Sequence, residues 1–226
     1  MLIVGLTGSI GMGKSTATRL LRGMRIPVYD ADAAVHAVQA PGGAALGPIE
    51  AAFPGAVKDG VLDRPALGAK VFADPDALRR LERIVHPLVQ ARQRAFLKRA
   101  AARGAKIVVL DIPLLFEGNG HVRVDATLVV SAPWFLQKQR VLARPGMTEA
   151  KFLDVVKRQT PDVLKRRLGD FVLPSNGGIA PTRLALTKAL AAIAGKSPRC
   201  WPARPLFDRR SAELARTRRG RPLPKG

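Results

Sequence analysis

Residues Gly8 to Ser15 read GSIGMGKS and meet the pattern G-x-x-x-x-G-K-[ST] at every fixed position. Glycines without Cβ atoms let a loop turn its N–H groups inward around an anion. A helix expected to open near Lys14 adds its positive end to the same focus. The spacing therefore assigns Gly8, Ser9, Ile10, Gly11, Met12, Gly13, Lys14, Ser15 and Thr16 to phosphate binding. In that reading Lys14 reaches the β- and γ-phosphates of ATP or GTP, and the Ser15 hydroxyl is placed to bind Mg2+. A chance match to four fixed positions is the alternative. Against it stand the apolar strand pattern Leu2 to Leu6 before the loop and the amphipathic pattern Ala17, Leu20, Leu21, Met24 after it.

The loop says nothing about the phosphoryl acceptor. A kinase also needs a group to orient or deprotonate the attacking hydroxyl, and carboxylates commonly serve. Asp30 and Asp32, in YDADAAVH just after the second apolar run, are the candidates. In an open parallel sheet the strand ends carry the site, which puts this segment beside a loop that follows the first strand. One of the two can instead be the N-cap of the following helix.

These residues need a sheet to hold them. IPVYD, KIVVLDIPLLFE and DATLVVSA read as further strands, and DFVLP as a last one, with helical stretches between them. Strands alternating with helices predict a three-layer α/β fold on a parallel sheet. Residues 31–104 are mostly helical in pattern, with breaks at APGGAALG, FPGAVKDG and ADPD. Pro133 is expected to open a helix through WFLQKQRVLAR, with Trp134 and Phe135 in the core; Thr148 and Thr160 are expected caps. Asp111 ends the third strand, where a carboxylate can hold Mg2+ through water. Pro113, Leu114 and Leu115 read as wall, and Glu117 as either a buried partner or a surface residue. Pro87 can start the helix carrying Val89 and Phe96, with His86 near its cap. His36 reads as structural and His121 as a loop residue. Arg140 and Arg144, four apart, are expected on one helix face; arginines on a closing lid are a recurrent answer to charge developing on a transferred phosphoryl group.

The 226-residue chain is 47% apolar with a net charge of +21. No run approaches the roughly 20 apolar residues of a membrane span, and the start MLIVGLTGS lacks the parts of a signal peptide, so a cytoplasmic location without membrane partners is expected. The single cysteine, Cys200, excludes an internal disulfide. Residues 196–226 hold 10 Lys/Arg against 2 Asp/Glu, net +8, which leaves +13 on residues 1–195. Charge of that sign suits polyphosphate ligands and nucleic acids alike. After Gly195 the composition turns Pro- and Arg-rich without periodicity, and a disordered tail over 196–226 is expected.

Five segments in order, LTGSIGMGKST, VYDAD, HPLV, DIPLLFE and RPGMT, resemble the dephospho-coenzyme A kinase family over about residues 1–194. The resemblance implies a phosphate-loop kinase domain over 1–195, with a substrate-binding insert at about 33–104 and a lid at about 140–168. It implies small-molecule substrates: the γ-phosphate of ATP passes to the ribose 3′-hydroxyl of dephospho-CoA, the last step of coenzyme A synthesis. Asp32 matches the family's likely base, with Asp30 the other candidate. His86 and Pro87 match a motif beside the acceptor, and Arg140 and Arg144 fall in the lid. Gln159 and Lys165 also match, more weakly. Where the family often has A-D-x-V-I-x-N-x-G, this chain has GDFVLPSNGG, a departure that leaves the nucleotide-base contacts of that segment unassigned. The rivals are another nucleoside or nucleotide kinase of the same fold and a nucleic-acid-binding NTPase; the resemblance makes nucleic acid an unlikely partner.

Overall fold

The structure is a computed structural model that describes residues 1–72 and 74–202. In chain order its elements are β1 (Leu2–Thr7), α1 (Lys14–Gly23), β2 (Val28–Asp30), α2 (Ala31–Val38), α3 (Leu46–Ala52), β3 (Val57–Lys58), β4 (Val61–Leu62), α4 (Arg64–Val71), α5 (Pro75–Ala102), β5 (Ile107–Asp111), a 3-10 turn Gly120–Arg123, β6 (Ala126–Ser131), α6 (Trp134–Leu142), α7 (Glu149–Lys157), α8 (Asp162–Leu168), β7 (Phe171–Pro174) and α9 (Ile179–Ala194). They form two compact units, one of residues 1–28 and 104 onward, the other Tyr29–Arg103.

The main sheet has five strands in the order β2-β5-β1-β6-β7, of which β1, β5, β6 and β7 lie in the first unit. β1 runs parallel to β5 on one side and β6 on the other, and β6 is parallel to β7. All six residues of β1 and of β6 are buried, because a parallel strand covered by helices on both faces meets no water. One core cluster joins Leu2, Val4 and Leu6 of β1 to Leu20 and Leu21 of α1 and Leu186, Leu190 and Ile193 of α9. The helical spacing of those side chains in the sequence is thereby explained. The register sets Leu6 against Asp111 and Thr7 against Val129, so the carboxyl ends of three strands meet where the order reverses about β1, the place where open α/β sheets bind ligands.

The second unit packs α2 to α5 around its own cluster, with Ile49, Phe53, Leu67 and Val85 buried. Two expectations fail here. The break at FPGAVKDG begins a small antiparallel hairpin, β3 with β4. Asp59 (φ 49°) and Gly60 (φ 74°) form its two-residue turn with positive φ at both positions, the geometry that Asp-Gly favours between strands. Pro87 does not start a helix; it lies inside the 28-residue α5. The start belongs to Asp74, whose Oδ1 accepts from the Asp76 N–H at 2.8 Å, with Pro75 in the first turn, where its missing N–H costs nothing. Inside the helix Pro87 removes one backbone hydrogen bond.

The first unit corrects four more readings. The third strand stops at Asp111, and the rest of DIPLLFE is turn, with Leu115 buried but Leu114 half exposed. Trp134 and Phe135 are 50% and 67% exposed, because the first turn of α6 faces outward; the Trp134 ring leans on buried Phe152 at 5.1 Å. Thr148 does cap α7, but α8 opens at Pro161 without a side-chain cap. Thr160 is turned to other use: its N–H donates to Glu117 Oε1 at 2.7 Å. His121 lies in the 3-10 turn rather than in a loop.

The change of composition after Gly195 does not coincide with the end of ordered contacts. Buried Asp125 accepts through Oδ2 from the Ile3 N–H and through Oδ1 from the Arg199 and Cys200 N–H groups, at 2.8, 2.7 and 3.0 Å. The rest of the expected tail, 203–226, lies outside the described residues. A chain ended at 195 should therefore melt several degrees below one ended at 202. The shorter chain strands a buried carboxylate oxygen, worth about 1–3 kcal/mol, at roughly 2–4 °C per kcal/mol for a chain this size. Thermal unfolding followed by circular dichroism checks it, and equal midpoints would refute it.

Candidate active site

The loop between β1 and α1 is shaped by two glycines that no other residue replaces well. Gly11 (φ 76°) and Gly13 (φ 88°) are left-handed, and a Cβ on Gly11 would sit 2.5 Å from Val141 Cγ2 and 2.9 Å from the Gln137 carbonyl oxygen. α1 begins at Lys14 with no side-chain cap on its first turn. Its free N–H groups and dipole therefore belong to whatever anion the loop holds.

The Lys14 ammonium lies 2.5 Å from Asp111 Oδ1. The other carboxylate oxygen accepts from the Thr18 hydroxyl, one helical turn along α1, at 2.7 Å. Asp111 is 3% exposed. Two contacts thus hold a buried carboxylate against the phosphate loop, with the lysine as the partner able to swing away. Ser15, the next residue, is exposed at the first turn. A hydroxyl and a carboxylate are both oxygen donors of the kind magnesium takes, one or two from protein with water and phosphates completing the shell.

Behind the loop is a second layer of contacts, of which the sequence had marked only Arg140 and Gln159. Arg140 Nη1 and Nη2 donate to Ser175 Oγ and to its carbonyl at 2.9 and 2.7 Å. The Ser175 hydroxyl donates in turn to the Met12 carbonyl at 2.7 Å. Gln137 Nε2 donates to the Ile10 carbonyl at 2.8 Å, and Gln159 Oε1 accepts from the Ile10 N–H at 3.0 Å. Met12 is 2% exposed, and its sulfur accepts the Ala132 N–H at 3.1 Å. Gln137, Ser175 and Thr18 had no motif to mark them.

Arg140 is thus tied to the loop's supports, whereas Arg144 is exposed and lies past the end of α6 at Leu142. The two do not share a helix face, because the helix stops before the second of them. Glu117 proves to be a part-buried partner: it sits 3.0 Å from the ammonium of Lys165, which is fully buried. Burial pushes the Glu117 carboxyl upward, but the N–H groups of Glu117 and Thr160 and the Lys165 ammonium outweigh it and hold the group below its ordinary range.

In the second unit Asp30 is the N-cap of α2, its Oδ1 accepting the Ala33 N–H at 2.9 Å. Asp32 lies exposed in the first turn of the same helix. Asp30 thus fills the capping role that the sequence offered to one of the two carboxylates. His36 Nδ1 accepts from Arg64 Nη2 at 3.0 Å, a surface contact in keeping with a structural role. His86 and Pro87 are exposed on α5. Tyr29 of β2 donates its hydroxyl to the Val89 carbonyl at 3.0 Å, which ties the strand before Asp30 to that helix.

The dephospho-CoA kinase family profile matches residues 2–181. This chain belongs to the dephospho-CoA kinase family. It is 60% identical over 166 residues to the dephospho-CoA kinase of Paramagnetospirillum magneticum, covering 74% of this chain and 78% of the relative. To the dephospho-CoA kinase of Mesorhizobium japonicum it is 50% identical over 196 residues, 87% of this chain and 98% of that one. Among solved structures, a Thermus thermophilus protein superposes with a TM-score of 0.74 at 38% identity, over 84% of this chain and 96% of its own. The family's span takes in both units, so the helices that carry Asp32, His86 and Pro87 belong to it as much as the phosphate loop does. Among the described residues no helix is long and apolar enough to cross a membrane.

Proposed function

We infer that this chain transfers the γ-phosphate of ATP to the ribose 3′-hydroxyl of dephospho-CoA, giving coenzyme A and ADP. The observation that carries the reading is the Lys14–Asp111–Thr18 cluster beneath a glycine loop, in a chain with family membership across both units. Binding of the triphosphate draws the Lys14 ammonium from Asp111 to the β- and γ-phosphates. The loop N–H groups and the first turn of α1 hold the same phosphates in line.

Asp32 takes the proton of the 3′-hydroxyl. The bond from the γ-phosphorus to the β-bridging oxygen breaks, the bond to the 3′-oxygen forms, and ADP leaves. Arg140 and Arg144, within a lid spanning about 140–168, neutralise charge on the transferred group; His86 and Pro87 line the acceptor side, on an insert of about 33–104. Ser15 and Asp111 are the residues that would hold Mg2+, which when bound screens the phosphate oxygens. Asp111, still held by the Thr18 hydroxyl after Lys14 has moved, would hold it through water. Cytoplasm is the compartment this reading assigns, with small molecules and not nucleic acid as partners.

The test is ADP release coupled to a spectrophotometric readout, with dephospho-CoA, nucleosides, nucleoside monophosphates and oligonucleotides offered in turn. Turnover is expected with dephospho-CoA alone. Phosphorylation of a nucleoside monophosphate in its place, or hydrolysis stimulated by oligonucleotides, would hand the function to one of the rival classes.

A further inference from the structure

We propose that Gln137 and Gln159 are positioning residues that set the phosphate loop by gripping one residue, Ile10, through both of its backbone polar groups. The proposal rests on the reading of the loop as the ATP site. Ile10 is the residue they share: Gln137, on α6, donates to its carbonyl, and Gln159, in the turn between α7 and α8, accepts from its N–H. Ile10 immediately precedes Gly11, whose left-handed backbone begins the part of the loop that curls toward α1. The Ile10 N–H belongs to the Ser9–Ile10 peptide and its carbonyl to the Ile10–Gly11 peptide, so the two bonds fix the successive peptide planes on either side of Ile10, and rotation of either would re-aim the N–H groups that follow. Glycine at positions 11 and 13 leaves the loop soft, so the stiffness has to come from outside.

Both grips are themselves fixed. Gln137 is 3% exposed, and its own carbonyl oxygen lies where a Cβ on Gly11 would meet it. Gln159 is placed by its neighbour: Thr160 donates its N–H to Glu117, and Glu117 is paired with the fully buried Lys165 of α8. The path from Lys165 through Glu117 and Thr160 to Gln159 ends on the phosphate loop. A buried ion pair is weak support for stability but a good way to fix register, and here the register fixed is that of the turn bearing Gln159.

The polarity of the two bonds supplies a test that packing alone would not pass. Glutamate is close to the shape of glutamine and still accepts a hydrogen bond, but its carboxylate cannot donate one. Gln159→Glu keeps the bond to the Ile10 N–H, while Gln137→Glu sets a carboxylate against the Ile10 carbonyl. Each places the same charge beside the same residue, so the difference between them reads hydrogen-bond direction. Affinity for ATP, titrated calorimetrically without any acceptor, should fall about tenfold in Gln159→Leu and Gln137→Leu, as expected for a lost bond that leaves a polar group unpaired. Gln159→Glu should bind at least about fivefold more tightly than Gln137→Glu.

Melting temperatures are recorded for all four variants. If buried Gln137 tolerates no change, the part-exposed Gln159 still decides the matter: Gln159→Leu with the affinity of the parent overturns the proposal. So do equal affinities of the two glutamate variants, or losses that merely follow the melting temperatures. Failure of dephospho-CoA as an acceptor would leave these binding results standing, so the two readings fail separately.

Discussion

Replacing Lys14 by alanine is expected to lower kcat/KM by about 10²–10³, the loss usual when one preorganised charge-stabilising group is removed from a transition state. The same change should also cost stability, for a reason unrelated to the reaction. Asp111 is 3% exposed, and without Lys14 it retains only the Thr18 hydroxyl as partner. A buried carboxylate that loses its cation can cost about 3–5 kcal/mol, discounted here because the Lys14 side chain is itself 22% exposed. The two effects separate in a double variant. Lys14→Ala with Asp111→Asn removes the stranded charge, and the melting temperature should recover most of what the single change lost. Activity should not recover, because no cation faces the β- and γ-phosphates. Steady-state kinetics and thermal unfolding on the same preparations check both halves. Recovery of turnover in the double variant would mean that Lys14 serves mainly to neutralise Asp111.

The phosphate loop was legible from sequence because its chemistry is local: eight consecutive residues supply the turn, the N–H groups and the lysine. The strands of the first unit were legible because burial on both faces leaves continuous apolar runs. What surrounds the loop was not. Gln137, Gln159 and Ser175 reach Ile10 and Met12 across 127, 149 and 163 positions of chain, and nothing in a glutamine's immediate neighbours says which distant peptide it will hold. Only a resemblance pointed to Gln159, and it did not say what Gln159 grips.

Other misreadings came from local rules that had two valid applications. His86-Pro87 and Asp74-Pro75 both look like helix starts, yet only Asp74 carries an oxygen that bonds the first turn. Trp134 and Phe135 sit at helical spacing, but the turn they occupy faces outward. Asp59-Gly60 is a strong hairpin signal that the surrounding helical pattern concealed. Arg140 and Arg144 keep the spacing of one face only while a helix lasts, and α6 ends between them.

Asp30 and Asp32 give the sharpest case, because the sequence stopped at two candidates and the fold assigns one of them a different job. Asp30 caps α2 through the Ala33 N–H. Asparagine caps about as well as aspartate, so Asp30→Asn should keep the helix and leave turnover within a few-fold of the parent. Asp32→Asn removes the group assigned to receive the 3′-hydroxyl proton while keeping its size. Loss of a general base typically costs 10²–10⁴ in rate, and kcat should fall by that order. The affinity for ATP, measured without acceptor, should be almost unchanged, since the phosphate loop and Lys14 are untouched. That split, with kcat reduced and nucleotide binding retained, is what a group acting on the acceptor alone predicts. If Asp30→Asn abolished turnover and Asp32→Asn spared it, the cap would have to be the base as well, and the division of labour read from the first turn of α2 would be wrong. If both variants turned over normally, neither carboxylate would take the proton, and the hydroxyl would have to lose it to the transferred phosphoryl group itself.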